Sequence, residues 1–318
     1  MTLTQLRCLC AVIDQGLHLS RAAQLLNTSQ PAVTKMIRAL EQEFGFEILM
    51  RSGPRIVAVT EAGQEVIARA RQVLLDVDNL KLAASDSNRQ SVGVLRIAST
   101  PLCAEQVLCE KIQDFTRRFP EVDVSLMVGM SADISRWTSS AEVDVGIGTL
   151  PEAVPANLFR LDAYTISRSI VAPPGHPILE IKKPTLKDIG SYPLITHHSW
   201  TTTGQLLDRM FANAGIIPKV ILKANAENIV KTYVSAGMGI AIMQTIAISK
   251  DDPSLQSVNI DHLFPPSKCW IVLRRDLYIR RFLHEFIAMI SPKWVTAEVN
   301  RARSLPALDS NGQASTGI

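Results

Sequence analysis

The sequence predicts a small, mainly helical N-terminal module joined by a long helix to a larger α/β region in two lobes. Three observations point there. Short helical patterns crowd residues 1–60. One helical pattern free of proline then runs from Thr60 to Asp86. From Val92 onward, short β-branched runs alternate with amphipathic stretches, the rhythm of βαβ units and mainly parallel sheets. Of the 318 residues, 47% are hydrophobic and 20% charged, enough to bury the cores of two or three domains. Aromatic residues, at 5%, are too few for surfaces that grip RNA or single strands by stacking.

The N-terminal elements follow from spacing. Leu3, Leu6, Leu9, Cys10 and Ile13 recur at helical intervals, and Gly16 ends that helix. A second helix covers Leu19 to Leu26 with Ser20 as its N-cap, and Asn27-Thr28-Ser29 makes a turn. Pro31 opens a third helix, where its missing N–H costs little. That helix buries Val33, Ile37, Leu40 and Phe44 and turns Gln30, Thr34, Lys35 and Arg38 outward. Helix, short turn, helix is the arrangement that places a second helix in a major groove. There an amide such as Gln30 suits adenine, a cation such as Lys35 suits guanine, and Thr34 suits a thymine methyl. Arg51-Ser52-Gly53-Pro54-Arg55 then reads as a tight basic turn between apolar segments, a wing suited to phosphates or a minor groove. By pattern alone, a plain three-helix bundle with a solvated cationic face fits equally well.

In the long helix, Val66, Ala70, Val73, Val77 and Leu80 are spaced 4, 3, 4 and 3, a heptad seam. Such a short seam needs a partner, and a two-chain coiled coil is the expectation. Packing on the chain's own α/β region is the alternative. Residues 85–91 are polar and read as a hinge, and residues after Arg303 as a disordered tail. The net charge of +3 neither favours nor opposes a nucleic-acid partner. Five cysteines without a CxxC pair imply reduced thiols in a cytoplasmic protein. No leader is visible, and no apolar run approaches the roughly 18–20 residues of a membrane span.

In the α/β region, strands are expected at 94–98, 122–128, 143–147, 169–172, 193–195, 220–222 and 239–242, with a helix from Ala104 to Phe119. His176, His197, His198, His262 and His284 are scattered, with no GxSxG or HExxH pattern. No catalytic residues, metal or cofactor are therefore expected. Cys103 and Cys109 leave a redox-sensing reading open, with buried inert thiols as the plainer one. A small-molecule binding protein without direct DNA readout is the other competing class.

The segment LSRAAQLLNTSQPAVTKMIRALEQEFGFEILMRSG, followed by VTEAGQ, resembles the LysR-type transcriptional regulators. The resemblance implies that Gln30, Pro31, Thr34 and Lys35 face bases, while Ser29, Arg38, Arg51 and Arg55 approach phosphate or minor groove. It implies a sequence-specific regulator and not an enzyme, an activator more than a repressor. It also implies promoter DNA, a small effector and RNA polymerase as partners, and a homodimer or homotetramer formed through the long helix. Residues 167–177, 192–196, 228–234 and 237–241 are similar to the CysB-like branch of that family. That branch implies a periplasmic-binding-protein-like effector domain responding to sulfate-like anions or acylated serines. Expected boundaries are 1–60 for the winged helix-turn-helix, 61–90 for the linker helix and hinge, 91–302 for the effector domain and 303–318 for the tail. The lobes would be 91–164 plus 269–302, and 165–268, crossing near Tyr164 and Lys268. Ser99 and Thr100, Thr149, and Thr201, Thr202 and Thr203 match the branch's anion site at three strand-to-helix junctions. Ordinary N-caps are the alternative for each. Leu102 and Cys103 replace the branch's polar Thr and Gln, which implies a partly apolar ligand such as an organosulfonate.

Overall fold

The computed structural model describes residues 1–53, 55–87, 92–150, 154–249 and 252–305. By packing, the chain divides into a first unit, residues 1–90 with 276–278, and a second, residues 91–275 and 279–318.

In the first unit, α1 (Leu3–Asp14) begins with a capping box between Thr2 and Gln5 and is capped at its far end by Gln15. Gly16 (φ +64°) and Leu17 (φ +67°) make the following turn. Helix α2 (Leu19–Leu25) has His18, not Ser20, as its N-cap. Ser20 sits inside the first turn, and its hydroxyl donates to Gln30 Oε1 at 2.9 Å. Helix α3 (Gln30–Phe44) is capped by Ser29, whose Oγ accepts from the Ala32 N–H, and ends at Gly45 in the left-handed region. Leu6, Leu9, Val12, Ala22, Ala23, Val33, Ile37 and Leu40 form the core between the three helices. Strands β1 (Leu49–Ser52) and β2 (Arg55–Val59) pair antiparallel as the wing, Ser52 opposite Arg55. Pro54 of the expected wing turn lies outside the described residues.

Helix α4 (Glu61–Ser87) starts against the wing. A Cβ added at Gly63 would fall 2.2 Å from the Ile48 carbonyl oxygen, so only glycine permits this approach. The seam expected for dimerisation divides. Ala70, 3% exposed, joins the core of its own unit together with Ile67, and Val66 packs against that core. Val73 is 40% and Leu80 70% exposed, with Val77 half-buried between them. At 100° per residue, the own-core face centred on Ile67 and Leu74 borders the seam, and Ala70 falls on the border. Residues 85–87 of the expected hinge are helical, and 88–91 lie outside the described residues.

In the second unit the order is β3 (Gly93–Ser99), α5 (Pro101–Cys103), a π-helical turn (Ala104–Leu108), α6 (Cys109–Arg118), β4 (Val122–Val128), α7 (Ser131–Ser139) and β5 (Val145–Gly148). Then come β6 (Leu158–Ile166), β7 (Arg168–Ala172), α8 (Leu186–Gly190), β8 (Leu194–His197), α9 (Thr202–Asn213), β9 (Val220–Ala224), α10 (Glu227–Ser235) and β10 (Ile240–Gln244). Strands β11 (Gln256–Asn259) and β12 (Ser267–Arg274) and helices α11 (Arg281–Ile290) and α12 (Thr296–Ser304) complete it.

Among the described residues the strands form two five-stranded sheets, β4-β3-β5-β12-β6 and β9-β8-β10-β7-β11. They share one plan: three parallel strands joined by helices, then two further strands, each antiparallel to its inner neighbour. The expectation of mainly parallel sheets is corrected in the antiparallel pairs. Strands β12 and β7 enter their sheets directly from the other lobe, without the helical crossover that makes neighbours parallel. Only Ser167 separates β6 from β7, and the chain returns between Asn259 and Ser267. Tyr164 lies inside β6 and Lys268 inside β12, so both expected crossing points shift by a few residues. Phe115, Phe282 and Phe286 centre the first lobe's core, with Phe115 edge-on to Phe286 at 5.4 Å. Residues 303 and 304 of the expected tail belong to α12. Arg275 donates to the Arg303 and Leu305 carbonyls at 2.6 Å each, while 306–318 lie outside the described residues.

Candidate DNA-reading surface and effector cleft

On α3, Gln30, Pro31, Lys35 and Arg38 are exposed and Thr34 half-buried, and together they border one open depression. Thr34 donates its hydroxyl to the Gln30 carbonyl at 3.1 Å. Its methyl is thereby the group left to contact a partner. Ser20 holds the Gln30 amide oxygen, which leaves the NH2 group to contact a partner. Ser29 caps the helix as described, so its expected phosphate contact has a structural competitor. The helix N-terminus that it caps favours an anion.

The two expected wing arginines differ. Arg55 is exposed. Arg51 pairs with Glu41 at 2.7 Å, a carboxylate that also accepts the backbone N–H groups of Ile48 and Leu49 at 3.0 and 3.1 Å. Arg51 therefore ties β1 to α3, so its expected contact with phosphate or minor groove has a structural competitor. The guanidinium and two backbone N–H groups together offset the cost of sheltering the Glu41 carboxylate.

In the second unit a cleft of about 90 Å³ lies where both lobes present the carboxyl ends of their parallel strands. That is where open α/β sheets take ligands. Helical segments beginning at Pro101, Ser131, Thr202 and Glu227 all start at its wall. Their N–H ends make the wall favourable to negative charge. Thr100, Leu102, Thr149, Thr201, Thr202 and Thr203 line it as expected positions. Thr201 is also an ordinary N-cap, accepting from the Gly204 N–H at 2.9 Å and donating to the His198 carbonyl at 2.8 Å.

Two expected residues do not line the cleft. Ser99 is buried behind it, donating to the Thr100 carbonyl. Cys103 turns into the first lobe's core beside Cys269 and Tyr164. Leu102 lines the cleft but also packs with Val171, Ile195, Ala224 and Val230 of the second lobe. Cys109 is exposed while Cys103 is buried, and both thiols are free.

Spacing missed Ser131, whose hydroxyl stands 3.3 Å from that of Thr149 and 3.1 Å from that of Thr202. It also missed Glu105, Glu227 and Gln244 on the cleft wall, and His197, expected at the surface or rim rather than in the cleft, is buried there. The available signal was the repeated strand-then-helix plan: Ser131 starts the helix after β4, as Glu227 does after β9.

Residues 3–64 match the bacterial regulatory helix-turn-helix protein, lysR family, and residues 88–294 match the LysR substrate binding domain. The chain belongs to the LysR family of bacterial transcription regulators. It is a DNA-binding regulator of this type with an effector-binding domain, and not an enzyme. It is 33% identical over 305 residues to the HTH-type transcriptional regulator CysB of Haemophilus influenzae, covering 96% of this chain and 94% of that one. It is 33% identical over 300 residues to SsuR of Burkholderia cenocepacia, covering 94% and 97%. The cofactor-binding domain of the Cbl transcriptional regulator superposes with a TM-score of 0.62 at 28% identity, covering 66% of this chain and 93% of that one. A full-length OxyR variant of Pseudomonas aeruginosa shares the fold, with a TM-score of 0.65 at 18% identity over 91% and 94% of the two chains. Among the described residues no helix is long and apolar enough to cross a membrane.

Proposed function

We propose that this LysR-type regulator is a cytoplasmic activator, working through RNA polymerase and switched by a small sulfur-related oxyanion bound between the effector lobes. The observation that carries the effector reading is the meeting of the Ser131, Thr149 and Thr202 hydroxyls where several helices begin. Hydroxyls and helix N-termini hold an oxyanion without a buried counter-charge. Sulfate and organosulfonates share that head group. Calorimetry on the full chain tests the reading: sulfate or ethanesulfonate binds the unaltered protein, and Thr202→Val weakens it about tenfold. Unchanged affinity in that variant removes the site.

For DNA, Gln30, Pro31, Thr34 and Lys35 read bases, while Ser29, Arg38 and Arg55 contact the backbone. Gel shifts should find that Gln30→Ala and Lys35→Ala relax sequence choice, whereas Arg38→Ala weakens all sequences alike. Two chains pair through α4, and the exposed Val73 and Leu80, with Val77, supply the apolar seam. Leu80→Lys should shift the assembly toward monomer in sedimentation, and an unchanged state would place the dimer contact elsewhere. A twofold assembly recognises a dyad-related site. Effector binding acts by linkage, shifting the lobes only as far as its differential affinity for the two arrangements allows.

A further inference from the structure

Beyond the hydroxyl cluster, the cleft is lined, among the described residues, by two carboxylates and by no lysine or arginine. Glu105 reaches it from the first lobe and Glu227 from the second. Glu227 is the first residue of α10, and its Oε2 is buried without a hydrogen-bond partner. Beside it, at the end of β8, His197 is 4% exposed, and neither ring nitrogen is hydrogen-bonded. His197 Nε2 lies 3.3 Å from Glu227 Oε1, close enough for an ion pair but outside hydrogen-bond geometry. Buried polar atoms left in this condition cost free energy unless something supplies partners.

The hydroxyls and helix N-termini favour an anion at their end of the wall, but Glu105 and Glu227 leave the rest of it unfavourable to a bare one. A bare anion adds negative charge where both formal charges are already negative. Even an imidazolium at His197 balances one carboxylate and leaves the other. A ligand carrying its own cation resolves the conflict. The geometry points to a small zwitterion: an oxyanion head on Ser131, Thr149 and Thr202, and a primary ammonium on Glu227, with Glu105 adding to the negative field. This rests on the cleft reading above and narrows its ligand from anion to zwitterion. An ammonium–carboxylate hydrogen bond in a sheltered cleft is among the stronger polar contacts.

The test is calorimetry on the full chain with 2-aminoethanesulfonate, ethanesulfonate, 3-aminopropanoate, propanoate and sulfate. The expected result is that an amine-bearing ligand binds roughly tenfold or more tightly than its amine-free counterpart. The sulfonate and carboxylate pairs tell which oxyanion is preferred. Glu227→Gln should bring the amine-bearing ligand down to the level of its counterpart, whose own affinity holds or rises as a repelling charge is removed. A thermal melt checks that this variant folds, and if it does not, the comparison on the unaltered chain decides. Equal affinity with and without the amine overturns the zwitterion and leaves the oxyanion reading standing. Absence of binding by every ligand overturns both.

Discussion

Ser131 and Thr202 join the two effector lobes through hydroxyls 3.1 Å apart, each at the first position of its helix. A ligand that takes both hydroxyls as donors replaces this contact and draws on both lobes at once. Ser131→Ala should therefore weaken effector binding by about 1 kcal/mol, five- to tenfold, while shifting the melting temperature by only about 1–3 °C. Calorimetry and a thermal melt measure the two effects. A large melting shift with unchanged affinity would make the pair structural.

Arg51 and Arg55 should separate by experiment. Arg51→Ala leaves the nearly buried Glu41 carboxylate unpaired and should destabilise the first unit by roughly 2–4 kcal/mol. Arg55→Ala should leave stability within about 0.5 kcal/mol and lower the salt slope of DNA binding by about 1. Denaturant titration and gel shifts over a salt series check both. Equal effects of the two substitutions on stability would contradict the assignment.

Gly63→Ala tests the start of α4. Its methyl would fall 2.2 Å from the Ile48 carbonyl oxygen, and backbone cannot yield as a flexible side chain can. The expected cost is about 1–3 kcal/mol, with loss of DNA affinity as the wing shifts. Retained stability and affinity would show that wing and helix relax independently.

Asp261 braces the crossing between lobes, accepting from Ser167 Oγ at 2.7 Å, the Arg168 N–H at 2.6 Å and Asn259 Nδ2 at 2.8 Å. Burial alone would raise its pKa. The hydrogen bonds from Asn259, the Arg168 backbone and Ser167 outweigh burial and hold the carboxyl below the usual aspartate value. A depressed folded-state pKa means stability present above the unfolded value, about 3.9. That stability is lost as pH falls through the folded value. Asp261→Asn should thus be less stable than the parent at pH 7, with the gap closing as pH drops below about 4. Denaturant titrations at several pH values measure the gap, and one independent of pH would exclude the brace.

Some elements were plain from spacing and others were not. Strand β4 was placed at its observed ends, because a β-branched run bounded by Pro120 and Gly129 leaves little choice. Strands β6, β11 and β12 were missed. Their pairing partners lie far away in sequence, as for Trp270 opposite Asp162, so no local period announces them. Ser20 looked like a cap, but the chain entered α2 two residues earlier. Thr202 was picked out with Thr201 and Thr203 at a helix start that resembles the branch's anion site, whereas lone Ser131 drew no notice.

Local rules acting over a few residues placed the helices of the first unit and the polar face of α3, because helical periodicity and turns are short-range physics, while the family came from the resemblance of a whole segment. Tertiary structure alone decided which side chains share the cleft. Ser131 and Thr202 are 71 positions apart, and Leu102 reaches the core of the opposite lobe. Their meeting depends on two sheets folding to one plan and facing each other, and a sequence pattern carries no record of distance across a fold.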